Sequence, residues 1–247
     1  MKLNDAPITG SASIKIQSKF AKFLFVIACG EAGNAMNATQ ALAAVKATNF
    51  ELEKVSPDGS ISPLRKLSLS DYLEIGSLLS TGPVTVETAG NTTTVTGDII
   101  CALDGDIEPN PQDIYTLKIT DLPAYCKADV YLITQKRRAS IHFKYDLAKI
   151  YSDVPSLVEL SSAHLLGIPK TDLVKVELEA DGQDRLELLP AELKSLLVDM
   201  NAQAFNINGA VTPVGLNLYT FPVPSANRAY LTATQDKTLI VVNAVRV

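Results

Sequence analysis

Tryptophan is absent, and there are only two histidines, His142 and His164. Two imidazoles cannot build a multi-histidine metal site within one chain. They leave a Ser-His-Asp triad formally open, but nothing nominates its members. The three cysteines, Cys29, Cys101 and Cys126, are widely spaced and form no CxxC pair. A disulfide framework or zinc site is therefore not expected, and all three thiols are expected to be reduced and buried. No run of about 18 apolar residues occurs, so no transmembrane helix is expected. GxSxG, HExxH, P-loop and GxGxxG motifs are all missing. No aromatic series suits sugar stacking or single-stranded nucleic acid. With a net charge of −5, Lys136-Arg137-Arg138 is the one basic run, and it reads as a solvated linker rather than a nucleic-acid face. The expectation is a chain with no catalytic, cofactor-binding or metal-binding residues, and one that is not an enzyme.

What is present is a long, apolar chain. Its 247 residues are 47% hydrophobic and 20% charged, enough for one large domain or two modest ones with their own cores. Val, Ile, Thr and Leu are abundant, which leans toward β structure.

The segment Ala12 to Lys22 reads ASIKIQSKFAK, and Ala139 to Lys149 reads ASIHFKYDLAK. After the first comes an alternating strand, Asn49 to Glu53, a turn at Asp58-Gly59, then a strand end at Leu67 running into a short helix with Ser70 as a plausible N-cap. After the second comes Leu173 to Glu179, a turn at Asp181-Gly182, and a strand-into-helix step with Pro190 in the first helical turn. The offset stays at about 120 to 127 residues. Common order and spacing argue for an internal duplication, which should superpose Ile14 on Ile141 and Leu73 on Leu193. Phe50 and Leu52 should face inward and Glu51 and Glu53 outward. Likewise Val174, Val176 and Leu178 should face inward, with Lys175, Glu177 and Glu179 outward.

Ala35 to Ala47 reads as a helix, and Leu157 to Leu166 occupies the matching place. The other segments, among them Val84 to Thr88 and Thr93 to Ile100 around the Ala89-Gly90-Asn91 turn, read as strands. Each half offers roughly eight short strands, a number that suits a two-sheet jelly roll.

Three local patterns carry weaker readings. Asp104, Asp106 and Glu108 alternate as hard-cation ligands do, but lack the rest of a binding loop, so a solvated acidic turn is expected. Val26-Ile27-Ala28-Cys29 resembles a lipobox, yet Lys22 interrupts the apolar run and the stretch starts inside the repeated segment, so it reads as domain rather than leader. Asn37 and Asn91 match glycosylation acceptors, a pattern common by chance.

Two fused β units, each with a charged alternating strand, an Asp-Gly turn and a following helix such as Pro190 to Asp199, resemble the double-jelly-roll major capsid proteins of tailless, membrane-containing, corticovirus-like bacteriophages. The resemblance spans about Ser11 to Val247 and rests on architecture, not on an invariant motif. It implies an all-β fold with residues 1–10 as an N-terminal arm, 11–137 as a first jelly roll and 138–247 as a second. It implies a homotrimeric, pseudo-hexameric capsomer in an icosahedral virion assembled in the host cytoplasm. Partners would be neighbouring capsomers, other virion proteins such as a penton, and an internal membrane that the arm could reach, with no sequence-specific nucleic-acid binding and no cofactor. The alternatives are a bacterial surface carbohydrate-binding β-sandwich protein, or a minor virion protein such as a penton or spike.

Overall fold

The computed structural model describes residues 1–30, 35–79, 82–135, 137–160, 163–180, 184–199, 205–212, 217–223 and 226–246. The fold is mostly β-sheet, with three helices among the described residues.

In the first half the strands are β1 (Ala12–Ile16), β2 (Lys22–Cys29), β3 (Asn49–Ser56), β4 (Gly59–Ser68), β5 (Val84–Ala89), β6 (Thr92–Ile100), β7 (Ala102–Leu103), β8 (Ile114–Thr120) and β9 (Cys126–Ile133). Helix α1 (Ala38–Ala47) precedes β3, and α2 (Leu69–Leu79) follows β4. The second half holds β10 (Ile141–Ile150), β11 (Ser156–Glu159), β12 (Ala163–Pro169), β13 (Leu173–Glu179), β14 (Leu186–Leu188), α3 (Pro190–Asp199), β15 (Phe205–Ile207), β16 (Ala210–Thr212), β17 (Leu218–Pro222), β18 (Arg228–Ala233) and β19 (Lys237–Arg246).

Local chemistry explains several elements. Asn37 caps α1: its side chain accepts from the Gln40 N–H, and the Gln40 side chain accepts from the Asn37 N–H, a reciprocal capping box. Pro190 opens α3, where its missing N–H costs nothing. In β3, Phe50 and Leu52 are buried while Glu51 and Glu53 are half-exposed, as a period of two demands. Gly90, at a φ of 60°, makes the turn between β5 and β6.

The order of the nine-stranded sheet is β1-β8-β3-β4-β10-β19-β12-β17, with β7 beside β10. A four-stranded sheet runs β11-β18-β13-β14, and a six-stranded one β16-β15-β5-β6-β2-β9. One core fills the space between the six-stranded sheet, the helices α1 and α2, and the nine-stranded sheet, and takes in Leu165, Leu218, Ile240 and Val242 of the second half. The other lies between the nine-stranded and four-stranded sheets. Strand β19 feeds both, with Leu239 and Val241 on one side and Ile240 and Val242 on the other. Such a strand, covered on both faces, reads as a continuous apolar run rather than an alternation.

The two halves repeat one strand order, but not in the register expected from the ASI segments. The hairpin β3-β4 followed by α2 matches β13-β14 followed by α3. Then β1-β8-β3-β4 corresponds to β11-β18-β13-β14, and β9-β2-β6 to β19-β12-β17. The counterpart of β10 is thus the N-terminal segment, not β1. Ile14 and Ile141 occupy different places, whereas Leu73 and Leu193 both lie buried in the helix that follows the hairpin.

Other expectations change. Residues 1–10, expected as an N-terminal arm reaching a neighbour or the membrane side, lie antiparallel along β9 of their own chain: Leu3 N–H donates to the Val130 carbonyl, and Ile8 and Ala128 exchange both bonds. Leu157 to Leu166 is not a helix: Ser156–Glu159 and Ala163–Pro169 are strands that complete the two sheets of the second half. Val174 is 42% exposed, because the pairing of β13 with β18 shifts register between Leu173 and Lys175; Val176 and Leu178 are buried as expected. The turn at Asp181-Gly182 lies outside the described residues. Finally, Cys29 and Cys126 form a disulfide across the paired strands β2 and β9, and only Cys101 is a free, buried thiol. Spacing could not show this, because antiparallel pairing sets positions 97 residues apart directly opposite each other.

Candidate functional site

The two histidines do not meet in a common site. His142, on β10, is half-buried, and its burial and the nearby Arg138 and Lys54 charges hold its pKa below the usual value. His164 packs its ring 5.6 Å from that of Phe143. Among the described residues, no group of three His, Cys, Asp or Glu side chains is placed to hold a metal ion.

The acidic turn is not solvated throughout. Asp106 is fully buried, and one of its carboxylate oxygens accepts from the Gln135 N–H at 2.6 Å. Its backbone bridges to the basic run, through Asp106 N–H to the Arg137 carbonyl and Ala139 N–H to the Asp106 carbonyl. Arg137 also donates from Nε to the Asp104 carbonyl at 2.7 Å. The two charged stretches, which looked unrelated in sequence, thus lie together where the halves connect. Lys136 lies outside the described residues. The lipobox-like Lys22 to Cys29 is strand β2, with Phe23, Phe25, Ile27 and Cys29 buried.

A second polar cluster joins the halves, and the sequence offered no signal for it. Glu74, inside α2, is fully buried. One carboxylate oxygen accepts from both the backbone N–H and the side-chain amide of Asn217, each at 2.9 Å; the other accepts from the Leu218 N–H at 3.0 Å. The Asn217 amide also donates to Ser70 Oγ at 3.0 Å, and its oxygen accepts from Lys46 Nζ at 3.0 Å. Burial pushes the Glu74 carboxyl up to about 7, against the pull of the Asn217 and Leu218 donors and of Lys170. Burial likewise pushes Asp71, one turn away, up to about 6. All three donors point from β17 and its approach into a helix of the first half. The cluster therefore reads as a clamp between halves, with every carboxylate contact inside the protein.

The outer face of the four-stranded sheet carries a ladder of mixed charge. Lys175 pairs with Glu177 at 3.2 Å and Glu187 at 3.1 Å. Arg185 pairs with Glu179 at 3.0 Å and lies 4.0 Å from the Tyr230 ring centre. Arg228 reaches Glu159 at 3.3 Å and Glu179 at 3.5 Å. On the first half, Lys118 pairs with Glu53 at 2.9 Å. Leu157 and Leu186, on the strands that edge the four-stranded sheet, are more than half exposed. The face is thus one of alternating sign with apolar margins.

No family model and no curated protein matches the chain. Among solved structures, a 7S globulin of Momordica charantia is similar at 6% identity and a TM-score of 0.23, covering 96% of this chain and 73% of that one. A likeness so low carries no argument about fold or function.

Proposed function

We propose that the chain is a double-jelly-roll major capsid protein, three copies of which form a pseudo-hexagonal capsomer in an icosahedral virion. The observation that carries this reading is the strand order. Label the strands of the second half B to I as β10, β11, β12, β13, β14, β17, β18 and β19; the sheets then read B-I-D-G and C-H-E-F, an order that supports the jelly-roll reading. In the first half, β1-β8-β3-β4 supplies C-H-E-F, and β9-β2-β6 supplies I-D-G, with the N-terminal segment on β9 in the place of B. Duplicated lobes let a trimer offer six similar units to a closed shell with one gene product. The mixed-charge ridge supplies faces that dock in register, against neighbouring capsomers or other virion proteins. In this reading the strands stand along the capsomer axis, with one end toward an internal membrane.

The disulfide favours a second reading, a carbohydrate-binding β-sandwich protein at a bacterial surface, because disulfides persist in oxidising compartments. The capsid reading requires the bridge to close after release from a reducing cytoplasm. Light scattering of the soluble protein and electron micrographs of assembled particles test the choice. The capsid reading predicts a trimer of 26.5 kDa chains with interfaces above about 1,600 Å² per pair, and closed shells. A stable monomer at high concentration that forms no particle and binds glycans would overturn it.

A further inference from the structure

The two halves of the nine-stranded sheet are poorly stitched. Strand β4 meets β10 in a single parallel pair, Leu64 with Tyr145. Pro63 explains why: it has no N–H to donate, so the ladder cannot extend past it. On its other edge β10 pairs with β19 along its whole length, and on the β4 side its only further partner among the described strands is β7, at Ile141 and His142. Between β4 and β10 lies a cavity of about 190 Å³, lined from the first half by Leu52, Ile61, Leu64 and Tyr115 and from the second by Phe143 and Val245. Ile61 and Val245 are 56% and 44% exposed, so the cavity has a wet mouth and an apolar floor.

Three nitrogen-bearing side chains also line it: Lys54, His142 and Lys144. Lys54 pairs with Asp113 at 2.9 Å and lies 5.8 Å from the Tyr115 ring centre; Lys144 pairs with Asp146 at 2.9 Å. No carboxylate lines the cavity itself. The nearby Arg138 and Lys54 charges oppose protonation of His142, so its surroundings are electropositive.

We propose that this seam is a binding site for a free medium-chain fatty carboxylate, its chain in the cleft between β4 and β10 and its head group among Lys54, His142 and Lys144. The size fits: an apolar cavity of about 150 Å³ holds a six-carbon ring, so this one takes a chain of about six to eight carbons. Lys54, His142 and Lys144 can each donate to a carboxylate head group, whereas a cationic head group finds no carboxylate in the lining. The site joins residues of both halves, as ligand sites at domain junctions do, and it does not depend on the capsid reading.

The test is calorimetric titration of the full chain with hexanoate, octanoate and octyltrimethylammonium, with His142 followed by NMR. Octanoate should bind at least about tenfold more tightly than its cationic analogue. Each methylene buried should tighten binding about fourfold until the cleft is full. Bound octanoate should raise the His142 pKa, since an anion now faces the ring. Ile61→Asp, at an exposed position, should weaken octanoate binding at least about tenfold with an unchanged melting temperature, and Lys144→Gln should weaken it less. Equal affinity for the two octyl ions, no binding up to the solubility limit, or a His142 titration unmoved by bound octanoate would each overturn the proposal. Binding that survives Ile61→Asp would place octanoate elsewhere and overturn it too.

Discussion

Gly76 of α2 lies so close to Asp98 of β6 that a Cβ at position 76 would stand 1.9 Å from the Asp98 carbonyl oxygen. Glycine inside a helix costs about 1 kcal/mol against alanine, and here the close approach requires it. The contact seats α2 between the six-stranded sheet and β17, with Tyr72, Leu73 and Ile75 buried. Gly76→Ala should therefore destabilise the protein by about 2–3 kcal/mol or more, the reverse of its effect in an exposed helix. Denaturant unfolding measures it; a variant as stable as the parent means that α2 does not pack there.

The Glu74 clamp predicts a pH dependence. The folded carboxyl titrates near 7, against 4.5 for an ordinary glutamate. The folded state thus holds a proton that the unfolded chain gives up, and stability from this group falls as pH rises from about 4.5 to 7. Asp71, raised to about 6, acts in the same direction. Glu74→Gln should remove the Glu74 share of the fall, at most about 3 kcal/mol, and leave the share of Asp71. The variant should also lose about 1–2 kcal/mol at pH 5, because its amide would face the N–H donors of Asn217 and Leu218. Unfolding midpoints at pH 5 and 8 test both.

The disulfide closes a long loop between Cys29 and Cys126. Replacing both by alanine should cost about 2–4 kcal/mol, chiefly by freeing the unfolded chain. Intact protein should show one alkylatable thiol, Cys101, and only after unfolding, since burial excludes reagent and pushes that thiol well above its usual range. Mass spectrometry without reductant counts the thiols; three would refute the bridge.

Neighbours on β13 should behave oppositely. Val176 is fully buried, so Val176→Asp should unfold the second half, at a cost above about 3 kcal/mol. Glu177 pairs with Lys175 on the outer face, so Glu177→Lys should shift stability by less than about 1 kcal/mol. If the ridge docks subunits, that reversal impairs assembly more at low salt than at high. Melting curves and particle yields separate the two effects.

Much of the local structure could be read from the chain itself. The alternation at Phe50 to Glu53 reports which face is buried, because side chains alternate along any strand. Pro190 marks the start of α3, and the helix expected from Ala35 is present but begins at Ala38, where the Asn37–Gln40 capping box, not read from the sequence, sets its start. The hairpin-then-helix order of both halves was legible too. The helix after β4, however, begins at Leu69 rather than after Ser70, whose hydroxyl serves Asn217 instead.

Only the tertiary structure decided what depends on distant partners. The two ASI segments share letters but occupy different places in the sheets, since place is set by neighbours such as β8 and β19. Leu157 to Leu166 has helical composition yet forms strands, because β18, β19 and β17 offer edges to pair with. Val174 turns outward because pairing with β18 slips by one residue there. The Cys29–Cys126 bridge, the Glu74–Asn217 clamp and the seam beside Pro63 each join residues far apart in the chain. Composition and periodicity determined an all-β chain; the pairing of strand edges decided which strands meet, because hydrogen-bonding backbone carries no sequence label for its partner.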